Sequence, residues 1–356
     1  MWPDSLVSPA RPPLLVYLDL NHWIGLAKAD ASHRDGVRYT RLLEVARAAK
    51  RLGTASFVLS DSLVVEMSNI ADPRQRGQLA AVMEELTGFA TLLGRPSVMR
   101  LEVQAAIEHI VGPGEERHGP IDLIGYHLTH GLGVRGRMII KDRRGRDVTD
   151  EVRGEFGAHR YDAMKAMAEA DLNWALLRGP QDDELEELRR HGYAPERHRQ
   201  VTQNRLNQEL ELVDILNRES TNWRKGRLRD LIGARECVIE LLDMIVEALM
   251  PRGMTLRDVV EDDRTKMRNL ARGMPTTEVA MEIKTQYHRD PNKPWAVNDI
   301  YDIDALAVAV PYCDVVFTDA AARRTLTEAH LDSRMKTALP RRPDELADLL
   351  IGLPQS

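Results

Sequence analysis

Cysteine is nearly absent: Cys237 and Cys313 are the only two in 356 residues. Arithmetic therefore excludes a disulfide framework and a four-thiolate zinc site, and both residues, set in apolar stretches, read as buried thiols of a reducing compartment. Aromatic residues are scarce at 5%, and positive charge does not dominate, with 49 Lys and Arg against 55 Asp and Glu for a net charge of -6. No global cationic field announces a polyanion, so a nucleic-acid partner would need a local basic patch. Long apolar runs are missing as well. None approaches a membrane span, and the opening MWPDSLVSPARPP lacks the charged start and apolar core of a signal peptide. The expectation is a cytoplasmic protein with no membrane partner. His22, His118, His127 and His130 are scattered without ligand spacing such as HExxH, and the glycines at Gly131, Gly133 and Gly136 stand outside any strand-to-helix turn, which argues against a nucleotide-binding loop.

What is present suits a folded chain: 43% of residues are hydrophobic and 29% charged, enough to bury a sizeable core. Leu14 to Leu20 (LLVYLDL) is a continuous apolar run after Pro12 and Pro13, as expected of a first strand buried on both faces of a parallel sheet. Helical spacing follows from Asn21 and again from Tyr39 to Arg51. Ser56 to Ser60 reads as a second strand, and Asp61 opens a helix carrying Leu63, Val64 and Met67. Strand, helix, strand, helix is the rhythm of a doubly wound α/β domain. Between Gly112 and Arg146 the chain turns rich in glycine and arginine, with strand character only at Met138 to Ile140. Beyond it, Glu151–Arg178, Asp182–Arg190, Glu196–Glu219, Lys225–Met250 and Thr255–Arg272 are charged and leucine-spaced, broken at Gly179, Pro180, Pro251 and Gly253. α/β texture returns after Pro294 and Trp295, with a helix over Asp299–Val310, a strand over Val315–Thr318, a helix over Ala320–Glu328 and a last helix over Pro343–Ile351. The expected organisation is residues 1–111 as the first part of an α/β domain, 112–290 as a mainly helical insertion, and 291–356 as its second part.

Reactive groups of an open α/β sheet collect at the carboxyl ends of its strands. Asp19 and Asp319 end apolar strands, Glu66 lies a turn or two into the helix after the second strand, and Asp299 and Asp302 share one face of the next helix at i, i+3. Asp304 points elsewhere in that phase. Four converging carboxylates without an interleaved lysine repel one another by about several kcal/mol unless a hard cation neutralises them, and oxygen-only ligation selects Mg²⁺ or Mn²⁺ over zinc. Singly, each acid also has a plainer role, as helix cap, first-turn acid or exposed helical glutamate.

These residues resemble the PIN-domain ribonucleases. Leu18-Asp19-Leu20-Asn21 is similar to the family's LDxN at the end of strand one, Glu66 in SDSLVVEMS to its glutamate after strand two, Asp302 in DIDALAVAVPYCD to its aspartate on an alanine-rich helix, and Thr318-Asp319 to its last motif. The likeness covers Leu14 to about Gly94 and Asp299 to the C-terminus. It departs from the family in the long segment between the second and third acids, and in having no residue between Thr318 and Asp319. The resemblance implies a doubly wound parallel sheet with helices on both faces plus a large α-helical insertion, and Mg²⁺- or Mn²⁺-dependent hydrolysis of RNA phosphodiester bonds. It implies Asp19, Glu66, Asp302 and Asp319 as catalytic metal ligands, with Asn21, Asp299 and Thr318 in support and Asp299 competing with Asp302 for the third position. A protein inhibitor or partner and homodimerisation are further implications, and toxin, defence and processing roles all stay open.

Candidate RNA contacts are Arg323 and Arg324 after the last acid, and His288 and Arg289 before the acidic helix, for which a polar helix end followed by a turn is the plainer account. The arginine-rich stretch Arg135 to Arg146 is the best local cationic patch. Two rivals accompany the nuclease: a non-catalytic PIN-like module that binds RNA or protein, and a Mg²⁺-dependent phosphatase of the haloacid dehalogenase type. The latter wants a second aspartate two residues after the first, where Asn21 stands.

Overall fold

Alternation within Leu14–Leu18 (β1) sets the architecture. Leu15 and Tyr17 point to one side and Val16 and Leu18 to the other, and all four are buried, so the strand needs cover on both faces. In the computed structural model, which describes residues 6–7, 13–112, 121–134, 139–190, 194–218, 223–260 and 263–352, β1 is the middle strand of a three-stranded parallel sheet. Ala55–Val58 (β2) lies on one edge and Val315–Phe317 (β3) on the other, with Val16 opposite both Phe57 and Val315. Around this sheet the described residues are mostly helical, at 72%. The class is mixed α/β. Two further short strand pairs are Leu6–Val7 with Ile121–Asp122 and Thr91–Leu92 with Ile124–Gly125, the second joined to the sheet by a parallel bridge from Thr91 to Leu59, just after β2.

The helices that matter for the site are Leu20–Asp30 (α1), Thr40–Arg51 (α2), Asp61–Ser68 (α3), Pro73–Thr87 (α4), Arg95–Val111 (α5), Ala158–Arg178 (α6), Pro195–Arg218 (α7), Leu228–Glu236 (α8), Pro275–Arg289 (α9), Val297–Tyr312 (α10), Ala320–Glu328 (α11) and Pro343–Ile351 (α12). One sheet face joins Val16, Leu18, Phe57 and Phe317 to Trp23 and Leu26 of α1, Leu42 of α2, Leu63 and Met67 of α3, Met83 of α4 and Leu346 of α12. The other joins Leu15, Tyr17, Val58 and Val316 to Val279 and Ile283 of α9, Ile303 and Leu306 of α10 and Leu206 of α7. Side chains such as Leu18 and Phe317 each contribute about 1.5–3 kcal/mol by leaving water, so the sheet is anchored from both sides.

Details depart from the sequence pattern where capping intervenes. The first strand ends at Leu18, not Leu20, because Asp19 caps α1 and forces the chain into helix. The second runs Ala55–Val58, since Ser60 caps α3 through Leu63 N–H. The helix expected over Glu151–Arg178 breaks at Gly157, and that over Lys225–Met250 contains π turns at Trp223–Arg227 and Cys237–Leu241. Ile139 and Ile140 form no named strand; Lys141 and Asp147 make a single bridge, and Met138 lies outside the described residues. Neither cysteine forms a disulfide, and both are buried.

The largest surprise is α9. Its sequence PTTEVAMEIKTQYHR looks like surface, yet twelve of its 15 residues are buried, among them Glu278, Glu282, Lys284 and His288. It packs along α10 in the same core as the sheet.

Candidate active site

β1 and β3 run parallel in register, so their carboxyl ends coincide. The Asp19 N–H donates to the Phe317 carbonyl at 3.0 Å, and the chain therefore leaves both strands with Asp19 beside Thr318 and Asp319. Each acid starts a helix. Asp19 Oδ1 accepts from Leu20 N–H at 2.7 Å, and Asp319 Oδ1 accepts from Ala321 N–H at 2.7 Å and Ala322 N–H at 2.9 Å. Capping holds both carboxylates at positive helix ends, where negative charge is favoured. Glu66 on α3 and Asp302 on α10 complete the group from separate elements.

Electrostatics show that the four share one neighbourhood. Burial, followed by the charges of Asp19 and Asp302, pushes Glu66 up to about 8. Burial again leads for Asp302, also raised to about 8, with Asp19, Asp319 and Asp299 adding and Lys293 opposing. Asp19 rises to about 6, driven first by burial and then by Asp319, while the Leu20 amide and Thr318 hold it back. Beneath them Tyr17 is raised by burial and by Asp19, Glu66 and Asp302. Among the described residues neither Glu66 nor Asp302 forms a side-chain hydrogen bond or ion pair. Such crowding normally calls for a cation.

The donors suit a hard divalent ion, being carboxylate oxygens with no thiolate among them. They do not close around one point: among the described residues no three His, Cys, Asp or Glu side chains are gathered tightly enough to hold a metal ion. The chemistry fits Mg²⁺ or Mn²⁺, and the spacing is open.

Asp299 is occupied elsewhere. Its Oδ2 accepts from Ala296 N–H at 2.7 Å, within the first turn of its own helix, and its Oδ1 pairs with Lys293 Nζ at 2.7 Å. Asp302 is the acid left facing the others, and the cluster has a lysine on its flank, contrary to expectation. Asp304 does point away, into a buried pair with Arg95 and Arg205. Thr318 is buried against Asp19, whereas Asn21 is exposed. Arg323 and Arg324 line a cavity of about 530 Å³ on α11 with Ala320, Ala321, Thr327 and Glu328, and none of the four carboxylates lines it.

His288 must be withdrawn as an RNA contact. Its side chain is 0% exposed and its Nε2 lies 2.9 Å from Glu209 Oε2, inside a helix interface that nucleic acid cannot reach. Arg289 is exposed and donates to Gln286 Oε1 at 3.0 Å. Of the arginine-rich patch, residues 135–138 lie outside the described residues, and Arg146 is committed to Asp142 and Glu151.

Several neighbours escaped the sequence pattern. Tyr17 stands two residues before Asp19, and strand alternation was the available signal. His22 stacks on Phe317 at 3.5 Å with planes 6° apart and pairs through Nδ1 with Tyr39 Oη at 2.9 Å; burial lowers it to about 4, against Thr318 and Asp319, so it is neutral. Tyr287 and Lys293 come from the end of α9 and the turn after it, for which no spacing rule exists. Comparison of the chain with protein-family models, curated proteins and solved structures gives no match.

Proposed function

We propose that this protein is a metal-dependent ribonuclease with a PIN-like catalytic layer. One observation carries the proposal: carboxylates from four separate elements, Asp19, Glu66, Asp302 and Asp319, meet at the carboxyl edge of a parallel sheet, and burial and mutual repulsion raise three of them toward neutrality. Burial and mutual repulsion of this kind perturb the titration of acids, and perturbed acids cluster at functional sites.

A bound Mg²⁺ or Mn²⁺ would neutralise the acids, lower the pKa of water and draw charge from the phosphate. Asp19, Glu66, Asp302 and Asp319 are the carboxylates that would close on it from the open spacing they have here. Hydrolysis then forms a bond from water oxygen to phosphorus and breaks the bond from phosphorus to the leaving ribose oxygen; water gives up one proton and the leaving oxygen gains one. The chain supplies orientation. Asp19 and Asp319 are fixed by their caps, buried Tyr17 on one sheet face and neutral His22 stacked on Phe317 on the other add no charge, and Arg323 and Arg324 lie one turn along α11 where the phosphodiester backbone would continue.

The test is cleavage of mixed-sequence RNA with Mn²⁺, with EDTA, and by Asp19→Asn. Cleavage that requires the metal and falls to background in the variant supports the proposal; a parent protein that leaves RNA intact under Mn²⁺ overturns it. The open spacing of the donors favours a second reading, a PIN-like module that binds RNA without cutting it. That reading requires RNA affinity unchanged by Asp19→Asn and no cleavage by either protein. Phosphate released from small esters would instead point to a phosphatase.

A further inference from the structure

We propose that Lys293 is the protein's own cation for the scissile phosphodiester, held ready by Asp299 and Tyr287; this rests on the nuclease reading above. The ammonium is fixed from two directions. Asp299 Oδ1 accepts from Nζ at 2.7 Å, and the Tyr287 ring lies with its centroid 4.2 Å from Nζ, a contact of the cation–π kind. Asp299 itself is anchored by Ala296 N–H at 2.7 Å, and Tyr287 packs edge-on to Trp295 with centroids 5.6 Å apart. An ammonium has three N–H donors. One goes to Asp299 and one side faces the ring, which leaves donor capacity for a ligand, and the side chain is 22% exposed.

Its position relative to the acids gives the lysine its use. Asp302 follows Asp299 by three residues on α10, so the two carboxylates share a face one turn apart. Lys293 acts on Asp302, and the Tyr287 hydroxyl feels Asp302, Asp299 and Asp319. A lysine used only to neutralise the cluster would pair with Asp302. This one pairs with the acid that is already capped and leaves Asp302 open. A phosphodiester approaching the sheet edge that carries four carboxylates would meet repulsion that a bound metal would offset on one side, and Lys293 would offset it on the flank by donating to a non-bridging oxygen, more strongly as charge builds there in the transition state.

The experiment uses the full chain and the variants Lys293→Gln, Lys293→Arg, Asp299→Asn and Asp19→Asn, with two readouts: Mn²⁺ binding without RNA, by titration calorimetry, and kcat and KM for RNA cleavage. Lys293→Gln should bind Mn²⁺ at least as tightly as the parent, because a cation beside Asp302 is gone, and yet lose about tenfold to a hundredfold in kcat. Lys293→Arg should recover most of that loss. If the glutamine variant does not fold, Asp299→Asn, which releases the ammonium from its anchor, should show the same loss in kcat with Mn²⁺ affinity retained. Parent kcat in Lys293→Gln overturns the proposal, as does Mn²⁺ affinity lost in step with activity, since a lysine that merely supports the loop predicts the latter. An inactive Asp19→Asn beside a fully active Lys293→Gln overturns the lysine alone; a parent that cleaves no RNA overturns both.

Discussion

Asp302 and Asp304 stand two residues apart on one helix and meet opposite fates. Asp302 is raised to about 8, with only Lys293 acting against burial and three carboxylates. Burial is the largest influence on Asp304 too, yet Arg205 and Arg95 outweigh it by charge and hydrogen bond and hold it at about 2. Arg95 Nη1 reaches Asp304 Oδ1 at 2.6 Å and Arg205 Nη2 reaches the same atom at 2.9 Å. The network continues through Lys284, which pairs with Glu236 at 2.5 Å and Glu209 at 3.1 Å, and through Arg235 and His288 on Glu209. It ties α5, α7, α8, α9 and α10 together. One region of the molecule compensates its buried charges and the other leaves them raw. Compensation is what a structural ion network needs to persist in a low dielectric, while uncompensated, perturbed acids cluster at functional sites.

The largest effect should come from breaking the compensated side. Asp304→Ala removes the closest carboxylate of both Arg95 and Arg205, leaving Arg95 with Glu236 at 3.8 Å and Arg205 with Glu240 at 3.5 Å, and should cost about 3–5 kcal/mol, read as a lower midpoint in urea unfolding. Metal-free Asp302→Asn should do the opposite at pH 8 and raise the thermal midpoint, by about 2–4 °C for each kcal/mol of repulsion relieved. A fall in both variants would erase the distinction between the two regions.

Titration sharpens the contrast. Glu66 and Asp302 have folded pKa values of about 8 against ordinary values of 4.5 and 3.8, so they bind protons on folding. Their contribution to stability is full below about pH 4 and is lost as pH rises through 8. Glu209 and Asp304 are both held at about 2, so theirs is present above about pH 4 and is lost as pH falls through 2. Metal-free unfolding followed from pH 5 to pH 8 should therefore show a declining midpoint, flattened in Asp302→Asn; a midpoint that climbs over that range contradicts the assignment. Mn²⁺ should restore stability at pH 8, by about 2.7 kcal/mol at a hundred times its dissociation constant, and should restore less in Asp302→Asn. The smallest effect belongs to the groove on α11. Arg323→Ala or Arg324→Ala should each weaken RNA binding less than tenfold and flatten its dependence on salt by about one phosphate contact, measured by anisotropy at two salt concentrations.

Much of the candidate site was legible in the chain because its acids obey local rules. Asp19 and Asp319 each end an apolar run at a helix start, and capping alone places them at a strand's carboxyl edge. Asp299 and Asp302 could not be told apart by spacing, since both face the same way; the tie is broken by Lys293 and the Ala296 amide. His288 misled because a polar residue near a helix end reads as surface, whereas the partner that buries it, Glu209, is 79 residues away.

Sequence by itself determined the presence of the β1, β2 and β3 strands and the acids that follow β1 and β3, because apolar alternation is a property of neighbours in the chain. Tertiary structure alone decided that α9 is a core helix, that Asp304 is compensated and Asp302 is not, and that Lys293 sits on the flank of the cluster. Those outcomes depend on charges brought together across long separations, and the free energy of a buried charge is set by what surrounds it in space.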